Sequence, residues 1–326
     1  MGMDTTTWDC IVVGGGAAGL SAALVLGRAR RRTLLLDDGH QSNLAAHGIG
    51  GLLGQDGRPA HDFYADGHAE LAKYPAVRVL AARATAAVAA PDHHGPAFTI
   101  TLDGGEEHSA RTLLLATGMS YRYPDMPGIA ERFGKSVFHC PFCHGWEVQG
   151  GQLGVLDGGT TGAARALLLR AWSDDVTLLT DGPANLAAED AARLAQAGVT
   201  IDERRIAGLQ GPGEHLEAVA FVDGATRPLT GALVAVTLAQ RGGLAEQLGA
   251  ELANAGGHWA ESLRVDGMQQ TPVPGVWAAG DTVAAAPSVA AAIASGSLAA
   301  AAIVHSLTSL LARPDDVAHA DAAISV

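Results

Sequence analysis

Residues 8–13, WDCIVV, form an unbroken apolar run, and GGGAAG (14–19) follows at once. The next stretch, LSAALVLGRAR, has helical spacing, and TLLLDD (33–38) is again apolar until its two terminal acids. Short continuous apolar runs closed by turn residues predict strands buried on both faces, as in a parallel sheet. The segment therefore reads strand, glycine turn, helix, strand. Three more β-rich runs follow: VRVLAARATAAVAA (77–90), FTITLDG (98–104) and TLLLATG (112–118), the last closing on Thr117-Gly118. YRYPDMPG (121–128) is proline-rich and predicts a hinge. A second strand–turn–helix pattern begins at LGVLDGGTTGAAR (153–165). Near the end, TPVPGVWAAGD (271–281) predicts a turn and a short strand, and an Ala-rich helix starts near Pro287, where proline suits a first helical turn. Alternating strands and helices predict an α/β fold.

Composition narrows this picture. The 326 residues suffice for two domains, and 48% hydrophobic with 17% charged residues is a globular balance. A net charge of −13 without a large basic block excludes a nucleic-acid footprint. Arg28, Arg30, Arg31 and Arg32 suit the end of a helix, where the dipole favours cations. MGMDTTTWDC lacks the basic and apolar regions of a signal peptide, so a cytoplasmic protein is expected. The Ala-rich run 283–303 is interrupted by Pro287, Ser288, Ser295, Gly296 and Ser297, which favours a buried helix over a membrane span.

Two motifs carry chemistry. In the first, Gly14 permits a tight turn, Gly16 lets backbone approach a pyrophosphate, and Gly19 allows close helix–strand packing. The helix opening at Ala17 and Ala18 offers its N–H groups to phosphate, and Asp37, 18 residues beyond Gly19, can accept from a ribose. The second is CPFCHGWE (140–147), with Cys140, Cys143 and His144 as C-x-x-C-H. That string fits a haem attachment site, half a zinc site or a redox dithiol. Haem attachment needs export. Zinc needs further ligands, and the one remaining cysteine, Cys10, sits in an apolar strand pattern as a small buried hydrophobe. No metal is expected, and the redox dithiol leads.

In order, the glycine fingerprint, A-T-G, C-x-x-C, second nucleotide-type unit and A-G-D resemble the flavin-dependent disulfide oxidoreductases of the thioredoxin reductase type. The resemblance implies two Rossmann-like, doubly wound, three-layer domains. Residues 1–121 and 255–326 would form a split FAD domain, and 122–254 a central domain carrying the dithiol. Gly14, Gly16, Gly19 and Asp37 would hold the ADP half. Ala17, Ala18, Asp38, Asn43, His47, Thr117 and Gly118 would complete the FAD site. Gly280 and Asp281 would meet the ribityl chain, and Ser288 and Val289 would face the flavin at the start of the last helix. A homodimer is the family expectation.

The central domain departs from the reductases. Asp157 stands where the first glycine of a nicotinamide-nucleotide turn belongs, and a carboxylate repels a pyrophosphate. The following stretch, 171–192, holds no Lys or Arg and five acids, against a 2′-phosphate. Asp181 there could still take the ribose of NADH. C-x-x-C-H-G-W-E, DDGHQSN (37–43) and His47-Gly48 look instead like the dithiol oxidases of sulfur-containing natural products. That branch closes disulfides in small dithiols, the dithiolopyrrolones and epidithio-diketopiperazines among them, passing electrons from the dithiol to FAD and O2 and releasing H2O2. By the same analogy Cys140 faces substrate, Cys143 faces the flavin, and His144 is the acid/base; Glu147 could orient it, and Trp146 could pack on substrate or in the core. Two rivals remain: an NAD(P)H-dependent disulfide reductase, and a non-catalytic flavoprotein or redox-sensing module.

Overall fold

The computed structural model describes residues 7–90, 97–253, 261–283 and 287–311. The chain divides into two compact units. Met1–Ser42, His61–Ser120 and Leu238–Val326 form the first; Asn43–Ala60 and Tyr121–Thr237 form the second. Two details differ from the sequence expectation. The later boundary falls at 237/238, whereas the expected 254/255 lies outside the described residues. Residues 43–60 also group with the second unit, because the segment packs on the dithiol turn described below.

In the first unit, β1 (Trp8–Val13), α1 (Ala17–Arg28) and β2 (Thr33–Asp37) are followed by α2 (Ala60–Leu71) and β3 (Val77–Ala81). Then come β4 (Ala84–Ala89), β5 (Phe98–Leu102) and β6 (Glu107–Leu115). The sheet runs β3-β2-β1-β6-β5-β4, and the strand Val276–Ala278 joins it beside β6. β1, β2, β3, β6 and Val276–Ala278 pair in parallel, while β4 and β5 are antiparallel additions. Leu34, Leu113, Ile100 and Val276 have no exposed surface within this core. Each contributes about 1.5–3 kcal/mol by leaving water. Cys10 is fully buried in β1, and burial pushes its thiol up to about 12 against the hydrogen bond it shares with Thr112.

The last helix, Val289–Leu311, packs on α1, and a Cβ at Gly296 would stand 2.1 Å from the Ala18 carbonyl oxygen. Its stretch Val289–Thr308 has the length and composition of a membrane span, with mean hydropathy 1.6. Only 28% of that window is buried, less than the buried helix expected from sequence implies.

The second unit has a five-stranded parallel sheet, ordered Thr200–Asp202, Asp175–Leu179, Gln152–Leu156, Gly231–Val234, Val137–Phe138. Its helix Gly159–Leu169 follows Gln152–Leu156 as α1 follows β1. A small antiparallel sheet, Ile206–Gln210, Ala218–Phe221 and Thr226–Pro228, completes the unit.

Candidate active site

The first glycine turn is fixed by close approach. Gly14 has φ +113°, and a Cβ there would lie 2.2 Å from the Ala116 carbonyl oxygen at the end of β6. A Cβ on Gly19 would lie 1.8 Å from the Gly14 carbonyl oxygen, so the helix start presses on the turn. Gly16 caps α1 in extended conformation with no side-chain hydrogen bond, which leaves the first amides of the helix open to an anion. Ala17 and Ala18 begin that helix as expected.

Asp37 and Asp38 separate in role. Gly15 makes room for the Asp37 side chain, whose Cγ would be 2.1 Å from a Cβ there. Asp37 accepts from Gln41 Nε2 at 3.0 Å and from the Gly39 N–H at 2.9 Å, and meets His68 Nε2 at 2.9 Å. A cavity of about 340 Å³ beside Gly14 is lined instead by Asp38, with Val13, Leu36, Arg83, Thr117 and Arg241. Arg83 Nε donates to Asp38 at 3.1 Å, and Arg241 donates to the His40 carbonyl. An apolar floor with one carboxylate and two guanidinium groups suits a nucleoside carrying phosphate. Sequence reasoning missed His68, Gln41, Arg83 and Arg241, which reach this region from separate elements. Gly118, at φ +68°, turns the chain out of β6 just past Thr117.

The A-G-D turn reaches the same end of the sheet. Gly280 has φ +81°, its N–H donates to Ser295 Oγ at 2.9 Å, and a Cβ there would lie 2.9 Å from that of Ala18. Asp281 follows in a 3-10 turn, Gly280–Val283. Ser288 Oγ accepts from the Ala291 N–H at 3.2 Å and caps the last helix, which opens at Val289. Gly14, Gly16, Gly19, Gly280 and Asp281 thus share one face of the first unit. Asn43 and His47 do not; they belong to the second unit with the dithiol.

There, Cys140 precedes the one-turn helix Pro141–His144, and Cys143 Sγ donates to Cys140 Sγ at 2.9 Å. That hydrogen bond lowers the Cys140 thiol to about 7, helped by the N–H groups of Cys143 and Phe142 and opposed by partial burial. His144 Nε2 donates to the Gly134 carbonyl at 3.0 Å, its ring stacks on Phe138 at 5.8 Å, and Nδ1 is buried without a hydrogen-bond partner. Burial holds His144 below its ordinary range, against the Gly134 carbonyl, the Glu147 charge and the Cys140 carbonyl; His47 lowers it further. Glu147 therefore acts on His144 by charge, while Gly134 orients the ring. His139 packs between Tyr121 and Phe133, and burial drives it to about 4. Phe142 and Trp146 are 70% and 72% exposed, so Trp146 is not core. Among the described residues no three His, Cys, Asp or Glu side chains converge on a metal position.

The second glycine turn is filled from within. Asp157 Oδ1 accepts from the Gly158 N–H at 2.8 Å, and Oδ2 pairs with Arg165 Nη1 at 3.0 Å. Asp181 accepts from the Ile206 N–H at 2.7 Å and pairs with Arg205 at 3.4 Å. The carboxylate considered for an NADH ribose is thus already bonded, and an arginine reaches this strand end from outside the stretch 171–192.

A family model, pyridine nucleotide-disulphide oxidoreductase, matches residues 8–296. The chain belongs to that family. Within this oxidoreductase family it is similar to "Thioredoxin reductase tcpT" of Claviceps purpurea, 33% identical over 89% of this chain and 91% of that protein. It is 31% identical to "Thioredoxin reductase aclD" of Aspergillus oryzae, over 94% and 98%. The solved structure titled "Crystal structure of HlmI" superposes with TM-score 0.88 at 35% identity, covering 97% of this chain and 96% of that one. An oxidoreductase from Agrobacterium tumefaciens gives TM-score 0.86 at 34% identity, over 93% and 99%. The two-unit α/β architecture of thioredoxin reductases is therefore this chain's own.

Proposed function

We propose that this oxidoreductase is an FAD-dependent oxidase that closes a disulfide within a small dithiol, with O2 as acceptor and H2O2 as product. The observation that carries the oxidase reading is the Asp157–Arg165 pair. It puts a neutralised carboxylate on the Gly158 N–H, where a nicotinamide nucleotide would need a bare turn for its pyrophosphate.

FAD suits the first unit because Gly14 and Gly19, which cannot take a Cβ, shape a tight turn, and Gly16 leaves the first amides of α1 uncapped, beside a cavity lined by Asp38 and Arg83. Gly280 and Asp281 would complete its seat. Bound there, FAD would take two electrons from the reduced dithiol and deliver them to O2.

The chain's own sulfurs do the exchange. A substrate thiolate attacks Cys140 Sγ of the oxidised pair, and Cys143 leaves as a thiolate. The second substrate thiol gives up its proton, with His144 as the acid/base of the turn, and attacks the substrate sulfur of the mixed disulfide. Cys140 then leaves as a thiolate, which the N–H groups of Cys143 and Phe142 favour. The Gly134 hydrogen bond fixes the tautomer that makes Nδ1 the accepting nitrogen.

The names of the fungal relatives favour a second reading, an NAD(P)H-dependent disulfide reductase. One experiment separates the two. NADPH, NADH and a small dithiol are added separately to the anaerobic yellow protein, and air is then admitted. Bleaching by the dithiol alone, with peroxide after air, is expected; bleaching by either nucleotide would make the protein a reductase.

A further inference from the structure

Residues 43–60 lie over the dithiol turn. A Cβ on Gly50 would stand 2.6 Å from the Cys143 carbonyl oxygen, and one on Gly134 would stand 3.2 Å from Ala45 Cβ. The segment therefore packs by backbone against the redox pair, and it carries His47. His47 Nε2 lies 3.1 Å from Glu214 Oε1, and Lys135 Nζ holds the other oxygen of the same carboxylate at 2.5 Å. Glu214 is itself fixed: its carbonyl accepts from Ser136 Oγ, and buried Arg132 donates to the carbonyls of Gly211 and His215 on either side. The run 132–136 thus holds Glu214 and also supplies the Gly134 carbonyl that orients His144.

The Lys135 hydrogen bond keeps the Glu214 carboxyl below the usual range, so it is charged at neutral pH. His47 remains 65% exposed and lies close enough to His144 to act on it electrostatically. A largely exposed imidazole with one nitrogen on an anchored carboxylate, carried by the segment that packs on the Cys143 backbone, is built as an activated base.

We propose that His47, oriented by Glu214, is the base that takes the proton from the substrate's first thiol. The inference rests on the dithiol-oxidase reading above. The substrate S–H proton passes to His47 Nδ1, and its electron pair forms the bond to Cys140 Sγ. The Cys140–Cys143 bond breaks, and Cys143 keeps the pair as a thiolate. The enzyme disulfide is the oxidant, and the step consumes nothing else. Among the described residues, Glu214 pairs with His47 and His144 feels it, while Lys135 and His215 act on the Glu214 carboxylate.

The test uses the flavin-loaded, oxidised protein without air. Dithiothreitol is added, and loss of the enzyme disulfide is followed by quenched alkylation and mass spectrometry. A free alkyl thiol is only a few per cent ionised at about pH 7, so a base is worth roughly tenfold there. His47→Gln is expected to slow exchange about tenfold at about pH 7 and to match the wild type at about pH 9.5, where the thiol ionises unaided. Glu214→Gln should show the same pattern with a smaller loss, marking it as a positioning residue. An equal loss at both pH values, or no loss at either, overturns the proposal. A wild-type disulfide that never exchanges with the dithiol overturns the reading of function instead, and this step with it.

Discussion

At Gly14 the backbone turns so tightly against the end of β6 that a Cβ would lie 2.2 Å from the Ala116 carbonyl oxygen, and an open cavity stands beside it. At Leu156–Gly162, in a comparable strand–turn–helix, Asp157 is admitted, bonds the Gly158 N–H and draws Arg165 onto itself. Gly162 still packs close, since a Cβ there would meet the Asp157 backbone at 3.0 Å, but nothing needs a glycine at the turn's first position. The comparison teaches that a nucleotide turn is defined by what its backbone must leave empty. One turn keeps the emptiness, and the other fills it with its own ion pair.

The strongest way to break the comparison is to fill the first turn. Gly14→Ala adds a methyl 2.2 Å from a carbonyl oxygen at φ +113°. Backbone strain alone costs about 1–3 kcal/mol. The variant is expected to purify without yellow colour and to melt well below the wild type; a normal flavin spectrum would refute the cradle. Next in size, Cys143→Ser should retain flavin and lose about 10³-fold or more in dithiol oxidation, measured as O2 uptake. Retained uptake would remove the dithiol from the mechanism.

Emptying the second turn sharpens the comparison from the other side. Asp157→Gly should raise NADH affinity about tenfold, or ~1.4 kcal/mol, by titration calorimetry. It should not select NADPH over NADH, because Arg205, the arginine that reaches that strand end, is engaged by Asp181. Unchanged affinity would show that Asp157 is not what blocks the site.

The smallest effect concerns pH. His139 is held neutral, with its pKa lowered from 6.5 to about 4. The unfolded chain therefore binds the proton first, so this residue's contribution is complete above 6.5 and is lost as pH falls from 6.5 towards 4. His139→Phe should flatten the acid limb of a urea-midpoint profile. An unchanged slope would assign acid lability elsewhere, with His144 the next candidate.

What could be read from sequence was whatever depends on neighbours in the chain. The glycine spacing, the C-x-x-C pair and the misplaced Asp157 are local patterns, legible without the fold. What escaped depends on partners far along the chain. Asp37 reads as a ribose acceptor until His68 and Gln41 are seen to hold it. Asp157 reads as a bare negative charge until Arg165, one helix face later, is seen to neutralise it. His47 follows the first acids so closely that it reads as part of the nucleotide site. Only the packing of Gly50 on Cys143 and of Ala45 on Gly134 moves its segment to the dithiol. Glu214 gave no signal at all, since its meaning depends on a turn between two short strands.

Of the three cysteines, Cys10 sits in β1 with no exposed surface and a thiol near 12. It is a spectator, invisible to thiol reagents while the fold is intact and visible once the chain is denatured. Thiol counting then becomes stoichiometry with its own internal standard. The native count reports Cys140 and Cys143 alone, and denaturation adds one constant equivalent. The redox state of a whole population can be read from that difference without a flavin signal or a known substrate.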